Sequence, residues 1–194
     1  DRAIAFVPAS GRQCTTLSTM FGSHLQGMPI IAENGTYVVR DGVDISSSTI
    51  DPNLTREVIT GVRQLRNDGH DVGLVVATKS IAYLERGDDP FVSHVATYYH
   101  SHRIVKDLSE HTDDVIKLSI YDFREASEAT YPTMQRTAPE HQVILATPNW
   151  VDIMNPGVNK GSAVEAVQRD LGVTADQTAI FGDFLNDLEM MPMA

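Results

Sequence analysis

Apolar residues fall in two rhythms along this chain. Short, largely apolar runs occur at residues 3–9, 29–32, 72–78 and 179–181. Runs of that length read as buried strands. Helical spacing appears instead at Leu17, Met20, Phe21 and Leu25, and again at Ala163, Val164, Val167 and Leu171, where Gly172 follows as a C′ glycine. The chain therefore opens as strand, Ser10-Gly11-Arg12 turn, helix over 15–25, strand, which is one α/β unit. It closes with a helix over 161–171, a buried parallel strand at 179–182, and the start of a last helix after Asp183.

Between these ends the pattern changes. From Gly35 onward, Asp41-Gly42 separates two alternating runs, a strong hairpin signal. Asp51-Pro52 supplies an N-cap and a first-turn proline for a helix to about Arg66, ended by Asn67-Asp68-Gly69. Strands are expected at 72–78, 103–105, 115–120 and 142–146, with helices over 91–99 and 125–136. Hairpins and mixed elements of this kind predict an α+β domain with an antiparallel sheet. Near Trp150 the α/β texture returns. The expected organisation is an α/β core from residues 1–35 and 150–194, with an α+β domain of residues 36–149 inserted between its halves.

Charge and composition narrow the partners. Fifteen basic against twenty-six acidic residues leave a net charge of −11. A protein that grips a nucleic-acid backbone needs a basic face, so no nucleic-acid partner is expected. No apolar run approaches membrane-spanning length, so no membrane partner is expected either. The single cysteine, Cys14, excludes an internal disulfide framework and fits a reducing, cytoplasmic compartment.

The chemistry sits in the loops. Ser10 can donate its hydroxyl, and the turn it opens can add backbone N–H donors for phosphate oxygens. Lys160 brings a point charge to a helix start. Asp183 is a hard oxygen donor of the kind Mg²⁺ takes. Asn186-Asp187 follows, where Asp187 could orient a ligating water or hold Lys160. Each has an ordinary alternative: Ser10 as an N-cap, Lys160 as a solvated residue, and the two aspartates as caps on the last helix. His100-Ser101-His102, with His94 and His111, lacks a Cys or Glu at ligand spacing and is not read as a metal site. Tyr98 and Tyr99 read as packing, as do Met190, Met191 and Met193. Cys14 could have a pKa lowered by the helix start, or be an incidental buried thiol.

The order of these segments resembles the haloacid dehalogenase (HAD) superfamily, specifically the Cof-type phosphatases with an α/β cap between the second and third motifs. Ala9-Ser10-Gly11-Arg12 resembles the second motif, and Ala32-Glu33-Asn34-Gly35-Thr36 the lead into such a cap. Asn159-Lys160-Gly161-Ser162-Ala163 resembles the third motif, and residues 180–190, containing Gly182-Asp183 and Asn186-Asp187, the fourth. The resemblance implies an α/β, Rossmann-like core with a parallel sheet and helices on both faces. It implies a phosphatase acting on a small phosphorylated metabolite, a sugar phosphate being the expected class, with Mg²⁺ as cofactor. Ser10, Gly11, Lys160 and Asn186 would bind phosphate, Lys160 and Asp183 would be catalytic, and Asp183 and Asp187 would serve the metal. Arg12 would reach substrate or bond loop carbonyls.

One departure accompanies the resemblance. The family's first motif, Asp-x-Asp-Gly-Thr, carries the nucleophile and the acid–base aspartate, and no Asp-x-Asp occurs in these 194 residues. The expectation is a chain shortened at both ends, whose nucleophile lies outside it. A phosphosugar mutase and a non-catalytic phosphometabolite-binding module remain as alternatives.

Overall fold

A computed structural model describes residues 4–183 and 185–194. Ala3, first in the expected opening strand, and Phe184, inside the expected fourth motif, lie outside the described residues. The chain forms two compact units, Asp1–Ser48 with Gly157–Ala194, and Thr49–Pro156. It is a mixed α/β protein, as its alternating rhythms implied. Among the described residues no helix is long and apolar enough to cross a membrane.

The first unit begins with α1 (Cys14–Phe21), followed by β1 (Pro29–Ala32), β2 (Tyr37–Arg40) and β3 (Val43–Ser47), an antiparallel sheet in that order. Asp41 and Gly42 hold φ of 50° and 79°, so both central residues of the β2–β3 turn are left-handed. That is the primed turn whose twist matches a hairpin. The other half of this unit is α5 (Lys160–Leu171), whose Ala163, Val164 and Val167 pack with Ile31, Val38 and Met190. Gly172 ends it with φ 66° and ψ 34°, the left-handed C-cap expected from the sequence.

The second unit contains α2 (Pro52–Asn67), β4 (Val72–Thr78), β5 (Ala82–Leu84), α3 (Asp89–Ala96), β6 (His102–Ile104), β7 (Val115–Asp122), α4 (Thr130–Thr137), β8 (Gln142–Leu145) and β9 (Trp150–Met154). Its sheet runs β6-β5-β4-β7-β9-β8, antiparallel except between β5 and β6. Asp51 accepts the Asn53 N–H at 2.7 Å and Pro52 opens α2, as its sequence predicts. Alternation sorts the sheet's faces. Leu74, Val76, Leu118 and Ile120 pack with Val58, Ile59 and Val62 of α2 and Met134 of α4. Val75, Ala77, Tyr121 and Trp150 pack with Phe91 and Val95 of α3. At its two chain ends, the Asn155 Nδ2 donates to the Thr49 carbonyl at 2.8 Å.

Several sequence expectations shift. The hairpin of β2 and β3 belongs to the first unit rather than the inserted one, because β2 pairs with β1 from Pro29↔Arg40 to Ala32↔Tyr37. β9, expected in the core, belongs to the second unit because it lies between β7 and β8. The division thus falls after Ser48 and after Pro156 rather than after residues 35 and 149. Residues 4–8 and 179–183 are not assigned as strands; Ala9 makes a single parallel bridge to Ile31. An apolar run becomes a strand only with a neighbour to accept its hydrogen bonds. After Asp183 the expected helix is replaced by single 3-10 turns, Leu185–Asp187 and Met191–Met193, the second opened by Pro192. α4 starts later than expected, where the Thr130 hydroxyl donates to the buried Asp122 at 2.6 Å.

Candidate active site

The site residues lie in the first unit, on turns that leave its regular elements. Residues 8–12 are clasped to the end of β1 by backbone bonds. Ile31 N–H donates to the Pro8 carbonyl at 2.9 Å, Ser10 N–H to Ile31 at 3.0 Å, Asn34 N–H to Ser10 at 3.0 Å, and Glu33 N–H to Arg12 at 3.0 Å. The last two require the chain to turn sharply. Glu33, Asn34 and Gly35 hold φ of 51°, 59° and 97° in succession. Asn adopts such a left-handed conformation readily, whereas for Glu it is strained. The Arg12 N–H donates to Ser10 Oγ at 3.2 Å. Ser10 therefore uses its oxygen as acceptor inside the turn and keeps its O–H as a donor for a ligand. Arg12 closes this turn through its backbone.

The second cluster grows from the start of α5. Asn159 is its N-cap: the Asn159 side chain accepts the Ser162 N–H at 2.9 Å, and Ser162 Oγ accepts the Asn159 N–H at 3.1 Å. This reciprocal cap sets the first turn and places Lys160 inward, 5% exposed. Lys160 Nζ donates to Asp187 Oδ1 at 2.5 Å. The other Asp187 oxygen accepts the Asp183 N–H at 3.0 Å. Asp187 is buried while Asp183 is exposed. Next to Lys160, a side chain at Gly161 would place its Cβ 2.1 Å from the Glu189 carbonyl oxygen. Only glycine lets the helix start abut the turns that carry Asn186 and Asp187.

A side-chain hydrogen bond joins the two clusters. Asn186 Nδ2 donates to Asn34 Oδ1 at 3.2 Å across 152 residues of sequence. Ser10, Asn186, Asp187, Lys160 and Asp183 thus form one continuous set, with Gly11 packed under the Asn34 side chain. Asn34 is the member that sequence reading took only as a lead into the next domain. Its signal was an Asn-Gly pair directly after a strand, a pair that favours left-handed backbone.

Among the described residues no group of three or more His, Cys, Asp or Glu side chains could hold a metal ion. Mg²⁺ does not need one. It takes one or two carboxylates and completes its shell with water and substrate phosphate. The exposed Asp183 carboxylate, backed by Asp187, fits that donor set. Cys14 does not behave as an activated thiol: burial pushes its pKa up, and the carboxylates of Glu33 and Asp44 add to the rise. His94, His102 and His111 make ring or hydrogen-bond contacts in the second unit. His94 stacks on Tyr121 at 4.4 Å, His111 on Tyr83 at 4.1 Å, and His102 Nδ1 bonds the Tyr99 carbonyl at 2.8 Å.

The chain was compared with known proteins. A family model described as haloacid dehalogenase-like hydrolase matches residues 1–194. The 5-amino-6-(5-phospho-D-ribitylamino)uracil phosphatase YbjI of Escherichia coli (strain K12) is 27% identical over 199 residues, covering 100% of this chain and 70% of that protein. The HMP-PP phosphatase of Cronobacter sakazakii is 22% identical over 197 residues, covering 100% of this chain and 70% of that protein. A haloacid dehalogenase-like hydrolase of Bacteroides thetaiotaomicron shares the fold, with a TM-score of 0.83 at 19% identity over 98% of this chain and 73% of that one.

Proposed function

The chain belongs to the haloacid dehalogenase-like hydrolase family, and on that premise we propose that it is the phosphate-binding and metal-binding part of a Cof-type phosphatase. The enzyme hydrolyses a phosphoric monoester of a small metabolite. We take the substrate to be a phosphorylated sugar or polyol, which the phosphoribityl group in the name of the Escherichia coli relative supports. The observation that carries the reading is the chain of contacts from Lys160 through Asp187 to Asp183. It ties the buried Lys160 ammonium, through Asp187, to the backbone of the turn that carries the exposed Asp183, an arrangement suited to gathering a phosphate and a divalent ion in an acidic protein.

In this reading Ser10 O–H and the Gly11 N–H hold phosphate oxygens, and Asn186 adds an amide donor. Lys160 neutralises charge that builds up on phosphate and nucleophile as the ester breaks. Asp187 holds the Lys160 ammonium in place and supports the metal, which Asp183 ligates directly. When bound, Mg²⁺ supplies further neutralisation of the phosphate charge. The nucleophile is an aspartate that becomes transiently phosphorylated, and we place it outside these 194 residues. Ile4, Phe6 and Phe181 are exposed on segments with no assigned strand, as suits strands whose neighbour lies elsewhere in the polypeptide. The second unit, Thr49–Pro156, is read as the cap that selects the leaving group.

The test is phosphate release by the full-length protein from a panel of sugar and polyol phosphates, with Mg²⁺ and with chelator. Chelator and Asp183→Ala should each lower release about 10²–10³-fold, the scale of losing a main electrostatic group. Release that survives both would remove Asp183 from the metal site. Phosphoryl return to a second sugar hydroxyl, instead of release, would identify a mutase.

A further inference from the structure

We propose that Asn34 is a positioning residue that decides which end of the Asn186 amide faces the phosphate. The proposal rests on the reading above, in which Asn186 touches phosphate. A primary amide has a donor end and an acceptor end of nearly the same shape, and a phosphate oxygen can only accept. Asn186 is therefore useful in one orientation and repulsive in the other. Asn34 selects the useful one: its Oδ1 accepts one hydrogen of Asn186 Nδ2 at 3.2 Å. The second hydrogen on that nitrogen stays available to an anion. Turning the amide over would set the Asn186 carbonyl oxygen against the Asn34 carbonyl oxygen.

The main chain that carries Asn34 is firmly placed. Its backbone is left-handed at φ 59° and ψ 26°. Its N–H is held by the Ser10 carbonyl at 3.0 Å. Its side chain lies over Gly11, where an added Cβ would come within 2.8 Å of Oδ1. The residue thus links the turn that presents the Ser10 hydroxyl to the turn that presents Asn186. Gly, Asn and Asp are the residues that best tolerate this backbone, so Asn34→Gly removes the amide while keeping the main chain.

A double-mutant cycle on the full-length protein tests this, read as competitive inhibition of p-nitrophenyl phosphate hydrolysis by inorganic phosphate. Asn34→Gly should weaken inhibition about 10-fold, the scale of one hydrogen bond to a charged group. Asn186→Ala should weaken it at least as much, and the double variant no further than Asn186→Ala alone. If Asn34→Gly folds poorly, Asn34→Asp keeps both the left-handed backbone and the acceptor oxygen. Its added charge should then weaken phosphate by the same factor with and without Asn186→Ala. Effects of Asn34→Gly and Asn186→Ala that multiply independently would overturn the proposal, as would unchanged inhibition by Asn34→Gly. Unchanged inhibition by Asn186→Ala would instead overturn the underlying assignment of Asn186.

Discussion

The two units hold themselves together by different means. The second unit is a sheet with apolar side chains sorted to both faces by strand alternation, and its irregular segments are short. In the first, the candidate site residues sit on turns and at the start of α5, and polar contacts such as Lys160–Asp187 and Asn186–Asn34 tie together segments far apart in sequence. Exposure follows the same division. Among the described residues, every exposed large hydrophobic residue apart from Ile104 and Leu145 lies in the first unit. Apolar burial is non-directional and makes a durable scaffold. Hydrogen bonds and ion pairs are directional and place individual atoms, but a misplaced partner costs more than the bond itself contributes.

The sharpest way to break this contrast is at Lys160. Lys160→Met leaves the Asp187 carboxylate buried without its cation, which costs about 3–5 kcal/mol. Hydrogen exchange should rise across residues 185–193, while β4 and β7 keep their protection. Equal loss in both units would show that they do not hold themselves independently. Next comes Phe91, fully buried against Gly73, where an added Cβ would sit 2.4 Å from its ring. Phe91→Ala should cost about 3–5 kcal/mol in denaturant unfolding of the second unit. Inhibition by inorganic phosphate should stay within about twofold, since no phosphate ligand we assign lies there. A larger change would tie the scaffold to the site.

The smallest effect concerns acid. Asp107 accepts from Ser109 and from Arg63, whose Nη2 lies 2.7 Å away, and its pKa is lowered to about 2. A lowered acid contributes stability that is complete above the ordinary carboxylate pKa of about 3.9 and fades as pH falls through the folded value. The urea midpoint of the second unit should therefore decline modestly between about pH 4 and pH 2. Arg63→Met should flatten that decline, whereas an unchanged slope would remove Arg63 as its cause.

What could be read from the sequence follows the same division. The capped helix α2, the α5 helix with Gly172, and the Asp41-Gly42 turn were legible because each depends on residues within a few positions of one another. The membership of β2, β3 and β9 was not, because a strand belongs to whichever neighbour it pairs with. Ser10, Lys160, Asp183, Asn186 and Asp187 stood out as motifs, yet Asn34 did not. Its bond to Asn186 spans 152 residues and leaves no local periodicity. The strand expected at 179–182 was lost for the same reason: the apolar run was real, and among the described residues no strand pairs with it.

The hydrogen bond from Asn155 to the Thr49 carbonyl has a consequence for how the chain is assembled during synthesis. It joins positions 106 residues apart. As an open coil, a loop of that length costs about 4 kcal/mol of closure entropy, and the halves of the first unit could meet only after meeting that cost. If Thr49–Pro156 folds first, its ends are already pinned together. Residues 157–194, made after it, then meet residues 4–48 as though across a short turn. Folding of the inserted segment thus shortens the effective loop that the segments carrying Asn34 and Asn186 must close.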